Sequence, residues 1–239
     1  MTRRDAWLAT AFLAGAAATV SFDERLARRL LSPDAQASLF VENAAMAADF
    51  LAAPGAFVIG GVVYALGYAA GSPRVADVGW HGLEAAAVSA GAFTLLKGVA
   101  GRARPLVADG GARHFEPGRG FGGGSHASLP SGDAAVAFAT ASALTAETSR
   151  WSPQARWTAG LLLYGGATTV ALAEAYHGEH WASDVVIGAA IGTFAGRTVV
   201  RYHHARPGNR LDRWVLGRIA VAPTARGGAA MVWAAPLAR

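Results

Sequence analysis

Apolar residues along the chain gather into six runs, separated by short stretches where glycine, proline and arginine collect. The runs cover Trp7–Phe22, about Phe50–Tyr68, about Val78–Val99, Asp133 to about Thr145, Trp157 to about Tyr176, and Trp181 to about Val200. Several approach the twenty or so apolar residues that cross a bilayer as helix. Arg3 and Arg4 precede the first run and small residues follow at Ala16–Ala18, a pattern shared with signal peptides. The run nevertheless extends to Phe22, which favours a retained first helix. Next, D-E-R-L-A-R-R-L-L at Asp23–Leu31 sets apolar residues at helical spacing among charges, as in an interfacial turn, and Pro33 is expected to end it. Pro54 sits near the start of the second run, and Gly71-Ser72-Pro73 make a turn carrying Arg74. The pattern predicts an all-α fold, a six-span transmembrane helical bundle over residues 1–205, with a basic tail over residues 206–239.

Composition sharpens this. The chain is 53% hydrophobic and only 15% charged, which fits a membrane protein better than a soluble α/β enzyme. Abundant alanine and glycine let membrane helices approach closely. With no cysteine there are no disulfides, thiolate chemistry or Cys-held metals. The net charge of +5 says less than its placement. The N-terminal arginines, the Arg74 turn, the Arg150–Arg156 loop and the tail with Arg201, His203, His204, Arg206, Arg210 and Arg213 all fall on one side of a six-span chain. Positive-inside bias makes that side cytoplasmic. The expected location is a bacterial inner (plasma) membrane, with membrane lipids around the chain and no nucleic-acid partner; the oligomeric state is not legible. Within the tail, I-A-V-A-P and A-M-V-W flank T-A-R-G-G between Arg218 and Ala235, a faint short-hairpin pattern.

The opposite, extracytoplasmic face then carries the long loop after Lys97 and the His177–Trp181 turn. Lys97 is the only lysine in a chain that otherwise uses arginine. A compact ammonium and the planar guanidinium of Arg104, seven residues on, can grip one oxyanion in two ways; two snorkelling cations are the plainer reading. The loop over residues 101–131 holds Arg102, Arg104, Arg113, His114, Arg119 and His126, and is too long for a simple connector. Its run G-R-G-F-G-G-G-S, Gly118–Ser125, lacks the following G-K-[ST] of a phosphate cradle and reads as a flexible loop. Pro130-Ser131-Gly132-Asp133 turns straight into a helix, where free N–H groups and a hydroxyl favour an anion. His180 and Asp184 stand four apart, which on a helix puts an acid beside an imidazole. Taken singly, a capping or surface histidine and a first-turn acid at a helix N-terminus are the better readings, and the combination is what carries weight. His81 and Glu84, inside the third run, receive no role.

In order, K-x6-R-P, P-S-G and H-x3-D resemble the type-2 phosphatidic acid phosphatase family, which shares its active-site plan with vanadium haloperoxidases and some bacterial acid phosphatases. The likeness spans Lys97 to Asp184 by motif and the membrane layout by pattern. It implies that His180 attacks phosphorus to form a phosphohistidine, oriented by Asp184. It also implies that Lys97, Arg104, Ser131 and the Gly132 amide bind phosphate oxygens, with no metal or other cofactor.

This chain departs from the family twice. Asp133 stands where the family places a histidine that protonates the leaving alcohol, so either a carboxyl with a raised pKa or nearby His126 would supply that proton. Ala173 and Glu174 replace the family's Ser-Arg. A carboxylate about 5 Å from a phosphate charge costs about 3 kcal/mol at an effective dielectric of about 20. Glu174 is therefore expected to turn away, be protonated or pair with an arginine such as Arg102. The first reading is a membrane phosphatase acting on a phosphorylated lipid substrate, a phosphate or diphosphate monoester. The second is a catalytically silent relative that binds lipid phosphate or a partner protein; a haloperoxidase comes third.

Overall fold

Prolines and small polar residues punctuate the chain where helices begin. The computed structural model describes residues 2–107, 111–206, 219–223 and 229–233. Helix α1 (Arg3–Val20) starts with a capping box between Thr2 and Asp5, and α2 (Asp23–Leu30) has acids in its first turn and arginines in its last, matching the helix dipole at both ends. Pro33 begins the one-turn α3 (Pro33–Gln36) instead of merely ending α2. Then come α4 (Leu39–Leu51), α5 (Ala53–Ala69), α6 (Pro73–Ala100), α7 (Gly132–Thr148), α8 (Pro153–Tyr176) and α9 (Ala182–Ala205). Proline occupies the first turn of α3, α5, α6 and α8, where its missing N–H costs nothing. Gly101, at φ +57°, stops α6 by returning its N–H to the Lys97 carbonyl.

Helix α7 is the centre of the bundle. Most of its side chains are buried, packed by α4 and α8 on one flank and by α6 and α9 on the other. Gly188, Gly192 and Gly196 let α9 lie directly on the α7 backbone: a Cβ at Gly192 would stand 2.1 Å from the Ala135 carbonyl oxygen. Helix α1 runs along α9, with its buried Asp5 paired to Arg197 and Arg201, so the first apolar run is built into the bundle. Outward, Trp7, Phe50, Leu66, Leu161 and Leu162 are exposed, a surface suited to lipid.

The fold is all-α in its membrane body, but the expected count of six spans is not confirmed. Among the described residues, α6 and α9 are long and apolar enough to cross a membrane. The count rises to four if each bent pair, α1 with α2 (67°) and α4 with α5 (51°), forms one span. The physical reason is clearest in α7, which has 17 residues and is enclosed by protein on several sides, so lipid does not dictate its composition. Helix α4 is an element that the run pattern missed; Glu42 and Asp49 break its apolar sequence. In the tail, β1 (Ile219–Pro223) pairs antiparallel with β2 (Ala229–Trp233), placing Val221 opposite Met231. Arg210, Arg213, Arg218, residues 224–228 and Ala235 lie outside the described residues.

Candidate active site

The site grows from the ends of α6, α7 and α9. Lys97 belongs to the last turn of α6, its Nζ 5.7 Å above the Phe93 ring. Beyond Gly101 the chain runs extended through Arg102, Ala103 and Arg104, and backbone bonds tie it to its own loop. Ala103 N–H donates to the His114 carbonyl, Arg104 N–H to Ser125, and Ser128 N–H to Arg102. The glycine-rich run is therefore not the loose loop expected from sequence. It folds into two short 3-10 turns, Arg119–Gly122 and Gly124–His126, with Phe121 seated where a Gly98 side chain would stand.

Arg102 organises the interior. Its guanidinium bonds Asp184, Asp23 (2.9 Å), Ser183 Oγ (2.8 Å) and the Ala112 carbonyl, and lies over the Phe115 and Trp181 rings. Arg102, Asp23 and Asp184 are all buried, and one cation between two acids leaves no spare positive charge there for a substrate anion. Asp23 also accepts from Ser183 N–H at 2.9 Å, which joins α2 to the start of α9. Sequence reasoning missed Asp23, Arg102 and Ser183 as members of the site. No local spacing signals them, because Arg102 meets its acids 79 and 82 residues away.

Asp184 and His180 do not touch. Helix α9 begins at Ala182, so His180 precedes it and the four-residue rule does not apply. Asp184 instead folds back on the helix start, accepting from Trp181 N–H (3.1 Å) and from Ser128 Oγ (2.6 Å). The Ser128 carbonyl in turn accepts from His180 Nδ1 at 2.5 Å. Ser128 is the bridge: its hydroxyl faces the acid and its carbonyl faces the imidazole. This fixes the proton on Nδ1 and leaves Nε2 with its lone pair. Burial pushes the His180 pKa well below the ordinary histidine range, the charges of Lys97 and Arg104 push the same way, and the bond to Ser128 opposes them.

Ser131 is fully buried as the cap of α7, accepting from Ala134 N–H at 3.2 Å, and Gly132 opens the helix against Phe93. Asp133 sits in the first turn, half-buried. Lys97, Arg104, Asp133, Glu174 and Asp184 lie close enough to act on one another's charge, and the two cations act on His180 as well. Arg104 ion-pairs with Glu179 and donates to the Gly124 carbonyl at 3.0 Å.

Of the three alternatives expected for Glu174, pairing with Arg102 does not form, because Arg102 is already shared between Asp23 and Asp184. Glu174 is buried with Oε2 3.4 Å from His180 Nε2. His126 stands with Glu116 (2.9 Å) and His114, while His177 stands 3.6 Å from Asp49.

Comparison with known proteins adds two matches. The PAP2 superfamily profile matches residues 79–207. A search of curated proteins found no match. Among solved structures, the first transmembrane PAP2 type phosphatidylglycerolphosphate phosphatase from Bacillus subtilis superposes with a TM-score of 0.60 at 18% identity, covering 87% of this chain and all of that one. At that identity the likeness speaks for the fold.

Proposed function

Because the chain belongs to the PAP2 superfamily, with more than half of its length matched, we propose that it is a membrane phosphatase that hydrolyses a lipid-linked phosphate or diphosphate monoester through His180. The observation that carries this reading is the Asp184–Ser128–His180 relay, which presents a neutral imidazole with a free Nε2 beside two cations. In the proposed reaction Nε2 attacks phosphorus, the N–P bond forms, and the bond to the leaving oxygen breaks, releasing the lipid alkoxide from a monophosphate or the lipid phosphate from a diphosphate. Lys97 and Arg104 carry the charge of the phosphoryl oxygens. Arg104 must release Glu179 to do so. The Gly132 amide and Ser131 hydroxyl, at the head of α7, supply further donors. Asp133 gives a proton to the leaving oxygen and then takes one from the water that cleaves the phosphohistidine.

Release of inorganic phosphate from several lipid phosphates tests this, with wild type against His180→Ala. Loss of release in the variant and a phosphoenzyme captured by an alkaline denaturing quench are expected. No release by the wild type from any of them would sink the reading.

Glu174 supports a second reading, a silent relative that binds lipid phosphate or a partner protein. A carboxylate oxygen 3.4 Å from Nε2 stands where phosphorus would approach, and with Nε2 unprotonated the two repel unless a proton is shared between them. Ligand affinity indifferent to His180→Ala would favour it. With the six spans that the run pattern expects, the arginine distribution further supports an outward-facing site in a bacterial plasma membrane. Single cysteines at Gly123 and Asn209 should then label from opposite sides; labelling from one side would overturn that orientation.

A further inference from the structure

The helices that end at the phosphate site also gather titratable groups at their other ends. His81 on α6, Glu147 on α7 and His204 on α9 converge, their ligand atoms all within 4.8 Å of one another. His81 Nδ1 lies 2.6 Å from Glu147 Oε1, and His204 Nε2 lies 2.8 and 3.0 Å from the two oxygens of the same carboxylate. The His203 ring stacks on His81 with centroids 4.3 Å apart, and its Nε2 meets Glu84. His81, Glu147 and His203 are buried, on helices whose buried faces also carry Val78, Ala85, Leu144 and Val199, with Arg74, Asp77 and Arg150 lining the adjoining cavity.

We propose that this cluster is a divalent transition-metal site, with His81, Glu147 and His204 as its protein ligands. Burying a carboxylate is costly unless a charge answers it. Neutral imidazoles bring donors without charge, whereas a dication answers Glu147 and turns both ring nitrogens toward one point. Two imidazoles and one carboxylate are the ligand set of open zinc sites, which keep a fourth position for solvent. Imidazole selects zinc, nickel or copper over magnesium and calcium, which prefer oxygen. A cavity of about 400 Å³, lined by Arg74, Asp77, Glu147, Arg150, Trp151 and His204, supplies both the fourth position and a route in. Its arginines suit a water or anionic ligand there. The ligands come from three different helices, so the bound ion would staple the bundle at this end.

The proposal is independent of the phosphatase reading, and its test needs no substrate. Protein purified in detergent through a tag free of histidine, and stripped with chelator, is titrated with Zn²⁺ against a chromophoric competitor. One saturable equivalent is expected. His204→Ala, at a side chain 29% exposed near the end of α9, should keep the fold and weaken binding by at least about tenfold. His126→Ala, in the separate His114–Glu116–His126 group of the long loop, should leave the titration unchanged. Absence of a saturable equivalent, binding indifferent to His204→Ala, or binding lost in His126→Ala would each overturn the proposal.

Discussion

The two ends of α6, α7 and α9 solve the same physical problem with different chemistry. Both bury carboxylates inside a bundle of alanine, glycine and valine. At the Lys97 end the answering charge is a guanidinium, the permanent cation among side chains: Arg102 holds Asp23 and Asp184. At the far end, about 22 Å along α7 by helical rise, Glu84 and Glu147 face imidazoles. Imidazoles can surrender a proton or take a metal. A permanent cation suits a scaffold that holds His180 in one orientation, as the proposed nucleophilic role requires. An exchangeable set suits an end where occupancy can change.

The strongest way to break that contrast is to remove the permanent cation. Arg102→Leu leaves Asp23 and Asp184 buried without an answering charge, and should cost about 3–5 kcal/mol of stability. Unfolding of the purified protein by denaturant measures it. A change comparable to that of a surface substitution would show that Arg102 is not the organising charge. Next in size, Lys97→Ala and Arg104→Ala should each weaken vanadate or phosphate binding by roughly 1.5–3 kcal/mol while leaving unfolding little changed. Calorimetric titration separates them from Arg102, because their loss touches the ligand and not the scaffold. Unaltered affinity would return both to snorkelling cations. The smallest effect belongs to Glu179→Gln, which frees Arg104 from a partly exposed ion pair. Such pairs contribute up to about 1 kcal/mol, so phosphate should bind a few-fold more tightly. Weaker binding would mean that Glu179 positions Arg104 instead of competing for it.

How much of this was legible in the sequence follows the distance over which each feature is encoded. The reading of Trp157–Tyr176 as one helix needed only an apolar run, and α8 ends at Tyr176. Lys97, Arg104, Ser131 and His180 drew notice because each sits in a short ordered motif. Ser128 did not, since its part depends on a backbone carbonyl that no residue type advertises. The four-residue spacing of His180 and Asp184 misled because it presumed a helix that starts two residues after the histidine. His81, Glu84, His203 and His204 were visible as residues, but their meeting requires α6 to pack against α9. Periodicity gives no handle on that packing.

The hydrogen bond from Ser183 to Asp23 joins residues 160 apart in sequence. A ribosome makes Asp23 early and Ser183 late, so the scaffold around His180 closes only after nearly the whole bundle has been synthesised. Until then Lys97, Arg104 and Ser131 have no His180 beside them. On the proposed reading, in which His180 is the nucleophile, a chain released before residue 180 has no hydrolytic activity, and maturation is coupled to completion.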